Sequence, residues 1–165
     1  MKYKLVAFWL IVFGALFAFL QMCFEYHFYY IEQSQLFLFS EAYIRNKLLL
    51  PGGFSMLVAE FLVQFFIRPY VGALVTAALL TGVGVCTAGI VKRIAPVSGF
   101  FILYVLPMLA LLFMHFDFNY RVQGTVCYLM MMALLCGYMR IRNDLFRLVA
   151  GCVLVPVLFW LAGSI

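Results

Sequence analysis

The chain has 165 residues, 68% of them hydrophobic and 10% charged, with a mean hydropathy of +1.12; soluble domains use about 45–50% apolar and about 25% charged residues. That composition excludes a water-soluble domain and points to an integral membrane protein, because a bilayer calls for apolar runs of about 20 residues. The formal net charge is +5, but the basic residues stand singly or in small groups between apolar runs, so they read as topology signals and exclude a nucleic-acid partner.

In chain order, Lys2 and Lys4 precede the apolar run from Leu5 to Phe24. The run exceeds the roughly 7–15 residues of a signal-peptide core, and Leu20-Gln21-Met22-Cys23 lacks the small residue a lipobox needs, so an uncleaved first span is expected over about 5–24. The next stretch, Glu25 to Lys47, is the most polar of the chain and leads to Pro51-Gly52-Gly53, a sharp-turn signal. Within it Leu36, Phe39, Tyr43 and Lys47 recur at helical spacing, and Glu41 and Arg45 form an i,i+4 pair; together they predict a short amphipathic helix at the membrane surface. Phe54 to Ile67 is apolar but too short for an ordinary span, which suits an interfacial or re-entrant helix. Residues 25–69 thus read as an outer surface segment.

Tyr70 to Val91 forms the second span, with small residues Ala78, Gly82 and Cys86, and Gly84 and Ala88, at four-residue spacing that would admit a neighbouring helix. Lys92 and Arg93 end it. Further spans are expected over about 97–114, carrying Pro107, over 125–139, and over 148–165, carrying Pro156. The fold class is therefore an all-α integral membrane protein, a single membrane domain of about five transmembrane helices plus one or two outer-side amphipathic or re-entrant helices. The absence of a polar tail after Ile165 is read as a chain end at the far interface or as a piece of something longer.

With the N-terminus in the cytoplasm and 54–67 not spanning, Lys2, Lys4, Lys92, Arg93, Arg140, Arg142 and Arg147 lie inside, against Arg45, Lys47, Arg68 and Arg121 outside, as the positive-inside rule asks. This places the protein in a bacterial inner membrane, multi-pass. Glu25, Glu32, Glu41, Glu60, Asp117, His27 and His115 then all fall on the outer side.

Glu60, Gln64 and Arg68, at i, i+4 and i+8, are the sharpest feature, since an acid in an apolar helix requires a partner, water or a function. They read either as a proton, cation or substrate contact or as a polar stripe facing headgroup water with Arg68 snorkelling, the second being favoured. Glu25-Tyr26-His27 and His115-Phe116-Asp117 could gather a metal only if the two span ends are adjacent, so no metal is expected and His27, His115 and Asp117 are weak candidates. Tyr29 and Tyr30 offer a binding platform or an interfacial aromatic belt. The five cysteines lie in apolar runs without CxxC spacing, and no nucleotide or cofactor fingerprint occurs, so no disulfide framework, thiolate metal site or cofactor is expected.

The runs Tyr29-Tyr30-Ile31-Glu32-Gln33-Ser34-Gln35-Leu36-Phe37, Pro51-Gly52-Gly53 and Phe61-Leu62-Val63-Gln64-Phe65-Phe66 resemble the N-terminal membrane part of an uncharacterised multi-pass family of Bacteroidota, over about the first 90 residues. The resemblance implies no activity. A more distant similarity is to the membrane module of GT-C glycosyltransferases, which would imply an outer acid, Glu32 or Glu25, helping to bind a metal or activate an acceptor; an Asp-Glu pair and enough spans are missing. The expected function is a non-enzymatic membrane subunit whose outer face contacts the lipid bilayer, another membrane protein or a lipid-linked carrier, using Glu60, Gln64, Arg68, Tyr29, Tyr30 and Glu32. The alternatives are a glycosyltransferase fragment with Glu32 and Glu60 as catalytic candidates, and a small transporter, which the lack of polar residues in the later spans disfavours.

Overall fold

The computed structural model describes residues 2–94 and 101–163, so the start of the third expected span and the last residues of the fifth lie outside the described residues. Every regular element described is helical: α1 (Lys2–Ser34), α2 (Glu41–Leu48), α3 (Gly53–Val63) followed by a 3₁₀ turn over Gln64–Ile67, α4 (Val71–Ile94), α5 (Phe101–Met114), α6 (Val122–Tyr138) and α7 (Asp144–Ala162). Three of them, α1, α4 and α7, are long and apolar enough to cross a membrane; α3 with its 3₁₀ turn, α5 and α6 are shorter apolar helices.

Several boundaries move from their expected places. The first helix does not stop near Phe24 but runs to Ser34, with one non-helical residue, Phe24 at φ −128° and ψ 17°, marking a kink. Hydropathy falls at the exit from hydrocarbon, whereas a helix continues as long as its backbone bonds are made, so the two ends need not coincide. Leu36 and Phe39 therefore precede the amphipathic helix, which is only the eight residues of α2. Arg68 stands beyond the 3₁₀ turn in extended backbone, so it leaves the stripe expected for Glu60 and Gln64. Helix α7 begins earlier than expected because Asn143 caps it, its side chain accepting the Leu145 N–H at 3.1 Å.

At the centre lies α4, packed against α1, α5 and α6. Glycine makes the close approaches possible. A Cβ at Gly84 would meet Trp9 Cζ3 at 2.6 Å and one at Gly72 would meet Phe28 Cγ at 2.7 Å, so the two helices touch along their length and run antiparallel. On the other flank Gly82 faces Leu129 and Gly89 faces Cys136, which makes α6 parallel to α4. The main core joins Leu20, Phe28 and Ile31 of α1 to Ala59, Val63 and Phe66, to Ala73, Ala77 and Leu80 of α4, and to Val122 and Val126 of α6. Helix α3 and its turn are thus built into one end of the bundle instead of lying on its surface.

The turn before α3 is fixed by two glycines. Gly52 adopts φ 79° and a Cβ on Gly53 would fall 1.7 Å from the Lys47 carbonyl oxygen, a space no other residue fits. Gly52 N–H donates to the Trp160 carbonyl at 2.8 Å, and the Trp160 indole donates to the Leu48 carbonyl at 3.2 Å while its ring stacks on Phe54. The start of α3 is thereby tied to the C-terminal end of α7, while the 3₁₀ turn meets α1 where Phe66 packs edge-on to Phe28.

Candidate functional site

The polar residues that bear on function gather where α2, α3 and the N-terminus of α6 meet. Tyr43 and Lys47, one turn apart on α2, both face α3. Lys47 Nζ lies 3.0 Å from Glu60 Oε1, and Tyr43 O–H donates to Glu60 Oε2. Glu60 is 7% exposed, so the surface stripe facing headgroup water is not what forms: the carboxylate turns inward and the two α2 donors supply the partner its burial demands. Lys47 Nζ also stands 3.1 Å from Met56 Sδ, which fixes the ammonium over the first turns of α3. Burial, then the hydrogen bond to Glu60 and the carboxylate's negative charge, push the Tyr43 phenol up to about 12.

The segment between α1 and α2 is held over α3 by Gln64, whose amide donates to the Phe37 carbonyl at 2.9 Å. Phe37 contacts Phe39, Tyr43 and Phe61 edge-on. Beneath this strap a cavity of about 260 Å³ is lined by Ser34, Gln35, Tyr43, Lys47, Glu60, Gln123 and the exposed Arg121. Arg121 and Gln123 also border an open cleft of about 420 Å³ with Asp117 and Asn119. Among the described residues Lys47 and Glu60 form an ion pair, whereas Glu41 and Arg45, the pair expected along α2, form none, and Arg121 has no carboxylate partner.

The other expected site residues are distributed around this centre. Glu32 and Tyr29 are half-buried on α1, and Tyr30 is half-exposed with its ring against Phe118; none of the three lines the Glu60 cavity. Arg68 is exposed and apart from Glu60. The kink of α1 lies beside the end of α5, since Phe24 stacks on Phe116 with ring centroids 5.0 Å apart. His27 and His115 nevertheless turn to different neighbours: His27 is enclosed by the rings of Phe24, Phe28 and Phe118, and His115 Nε2 lies 2.9 Å from Thr125 Oγ1. Burial, and the nearby His27, hold the His115 imidazole down at about 4. Asp117 accepts from the Asn119 N–H at 2.9 Å. No group of three His, Cys, Asp or Glu side chains able to hold a metal exists among the described residues.

The chain belongs to DUF6057, a family of unknown function, whose model matches residues 1–165. No curated protein and no solved structure matches it at a significant level.

Sequence reasoning singled out Glu60 and Gln64 but missed Tyr43, Lys47, Arg121 and Gln123 as their companions. A buried acid signals that a cation must be near. Which of Arg45, Lys47 or Arg68 answers it depends on the angle at which Pro51-Gly52-Gly53 returns the chain, and that angle is set by α7.

Proposed function

We infer that this protein is a five-span membrane binding module, with α1, α4, α5, α6 and α7 crossing a bacterial inner membrane and the Glu60 cavity open on the outer side. The alternating directions of α1, α4 and α5, and the collection of Lys4, Lys92, Arg93, Arg140, Arg142 and Arg147 at the opposite end from Glu60, support that topology. Membership of a multi-pass family of Bacteroidota is the corresponding taxonomic reading.

The cavity would take a small anionic group, a carboxylate or phosphate carried by a lipid-linked molecule or a partner chain. The observation that carries this is Arg121, which lines the cavity with no carboxylate at ion-pair distance among the described residues, Asp117 of the neighbouring cleft included, while Glu60 is engaged by Lys47 and Tyr43. A binding role is preferred to catalysis because each oxygen of Glu60 is engaged by a donor and the carboxylate is ion-paired, so it is held as an anchored charge and not as a free general base. A GT-C glycosyltransferase reading has less support, as Glu32 does not share the cavity with Glu60. A transporter lacks a polar path along the helices.

Glycerol phosphate, a headgroup without acyl chains, is the probe. It should raise the melting temperature of the purified protein and leave that of Arg121→Gln unmoved; no rise with the native protein would sink the reading. For topology, single cysteines at Gln33, Arg68 and Asn119 should react with an impermeant thiol reagent in spheroplasts, while those at Lys92 and Asn143 should not. The reverse pattern would invert the assignment.

A further inference from the structure

A second cavity, larger than the polar one, is apolar. An apolar groove of about 950 Å³ runs along the basic half of α4, with α4 as its floor and α1 and α6 as its walls. The floor is made of Ala78, Gly82, Cys86 and Gly89, with Leu129 and Cys136 of α6 closing on the two glycines and Trp9 standing on the opposite wall. Its volume lies at the upper end of the roughly 300–1,000 Å³ usual for small-molecule sites. Between Ala78 and Lys92 the floor extends about 21 Å along the helix, somewhat more than the roughly 15 Å that one leaflet contributes to the hydrocarbon core.

One end of this apolar channel carries two cations. Lys92, at the close of α4, and Arg140, just past α6, both border the groove. Neither has a carboxylate partner among the described residues; the Lys92 ammonium lies 5.7 Å from the centre of the Tyr104 ring. Apolar depth for about one leaflet, ending in two cations that no carboxylate of the described residues neutralises, is complementary to one class of molecule.

We propose that this groove is a binding site for an anionic phospholipid of the leaflet facing the basic end, its acyl chain lying along α4 between α1 and α6 and its phosphate held by Lys92 and Arg140. A transmembrane helix of a second copy would fill the apolar part equally well but would leave both cations without anions, and this favours the lipid. The site is independent of the Glu60 cavity, which lies at the other end of the bundle.

Trp9 makes the site testable in the full chain, because Trp160→Phe leaves it as the sole tryptophan. The protein is placed in phosphatidylcholine vesicles doped with phosphatidylglycerol or phosphatidylcholine brominated on the acyl chain, and quenching of Trp9 is followed. Brominated phosphatidylglycerol should quench at about a ten- to thirty-fold lower mole fraction, the preference expected of two cations near an anionic lipid. That preference should vanish in Lys92→Gln/Arg140→Gln and persist in Arg147→Gln, a cation at the same end that does not line the groove. If the charge variant fails to fold, Ala133→Phe, which fills the groove with its cations intact, should likewise abolish the preference. Equal quenching by the two lipids in the native protein overturns the proposal, as does a preference that survives either variant. Native mass spectrometry showing a dimer that Val85→Phe dissociates would assign the groove to a second copy instead.

Discussion

Helices α4 and α7 are equally apolar, yet nearly half of the most apolar window of α4 is buried inside the protein and none of that of α7 is. The difference lies in side-chain size. Helix α4 offers Gly72, Ala73, Ala77, Gly84 and Ala88, against which Phe28 and Trp9 close, whereas α7 turns Leu148, Val149, Val153, Val155 and Phe159 to its surroundings. Hydropathy reports which solvent a helix tolerates; small residues report which helix it can touch. Beyond its contact with α6, where Gly151 faces Tyr138, α7 is fastened at its C-terminal end through Trp160 and the Gly52 turn.

Gly84→Leu should do the most damage, since the new side chain must displace Trp9 from contact with α4. We expect a loss of about 3 kcal/mol in SDS-titrated unfolding, the upper range for overpacking. If Gly84→Leu proves mild, α4 is not the packing centre. Lys47→Ala removes the cation from a buried carboxylate; a fully buried pair would cost about 3–5 kcal/mol, and with the Lys47 side chain 20% exposed the figure falls to about 2. Lys47→Arg, which keeps the charge, should recover part of it.

Trp160→Phe keeps the stack on Phe54 but deletes the indole bond to Leu48, for about 1 kcal/mol. Its signature should be faster amide exchange confined to the last turn of α7. Val153→Leu, on the outward face of α7, should change stability by no more than about 0.5 kcal/mol; a larger loss would mean that α7 is covered by something and that the contrast with α4 is false.

The smallest effect is on pH dependence. The Tyr43 phenol is raised to about 12 from its ordinary 10.0, so the fold favours its neutral form; that contribution is complete below pH 10 and is lost as pH rises towards 12. Alkaline denaturation should therefore be steeper over that interval in the native protein than in Tyr43→Phe. Identical profiles would show that the phenol does not face the Glu60 carboxylate.

Much of the helical order can be read directly from the residues, because a chain with so little charge must satisfy its backbone within helices. The end of α1 cannot: Glu25 and Glu32 read as part of a polar surface segment, yet the helix runs on through both to Ser34, with Glu25 exposed and Glu32 half-buried. The candidate site is half legible. Glu60 and Gln64 stand out as polar groups in an apolar helix, whereas Arg121 is separated from them by some sixty residues of chain, and no local pattern joins the two.

Composition and periodicity by themselves determined the helical class, the presence of helices apolar enough to cross a membrane and the need of Glu60 for a partner, because transfer of apolar and charged groups is a property of the residues. The partner's identity, the cavity beneath the strap and the groove between α1 and α6 were decided only in three dimensions. They depend on how closely backbones approach, and that is fixed by which glycine meets which ring.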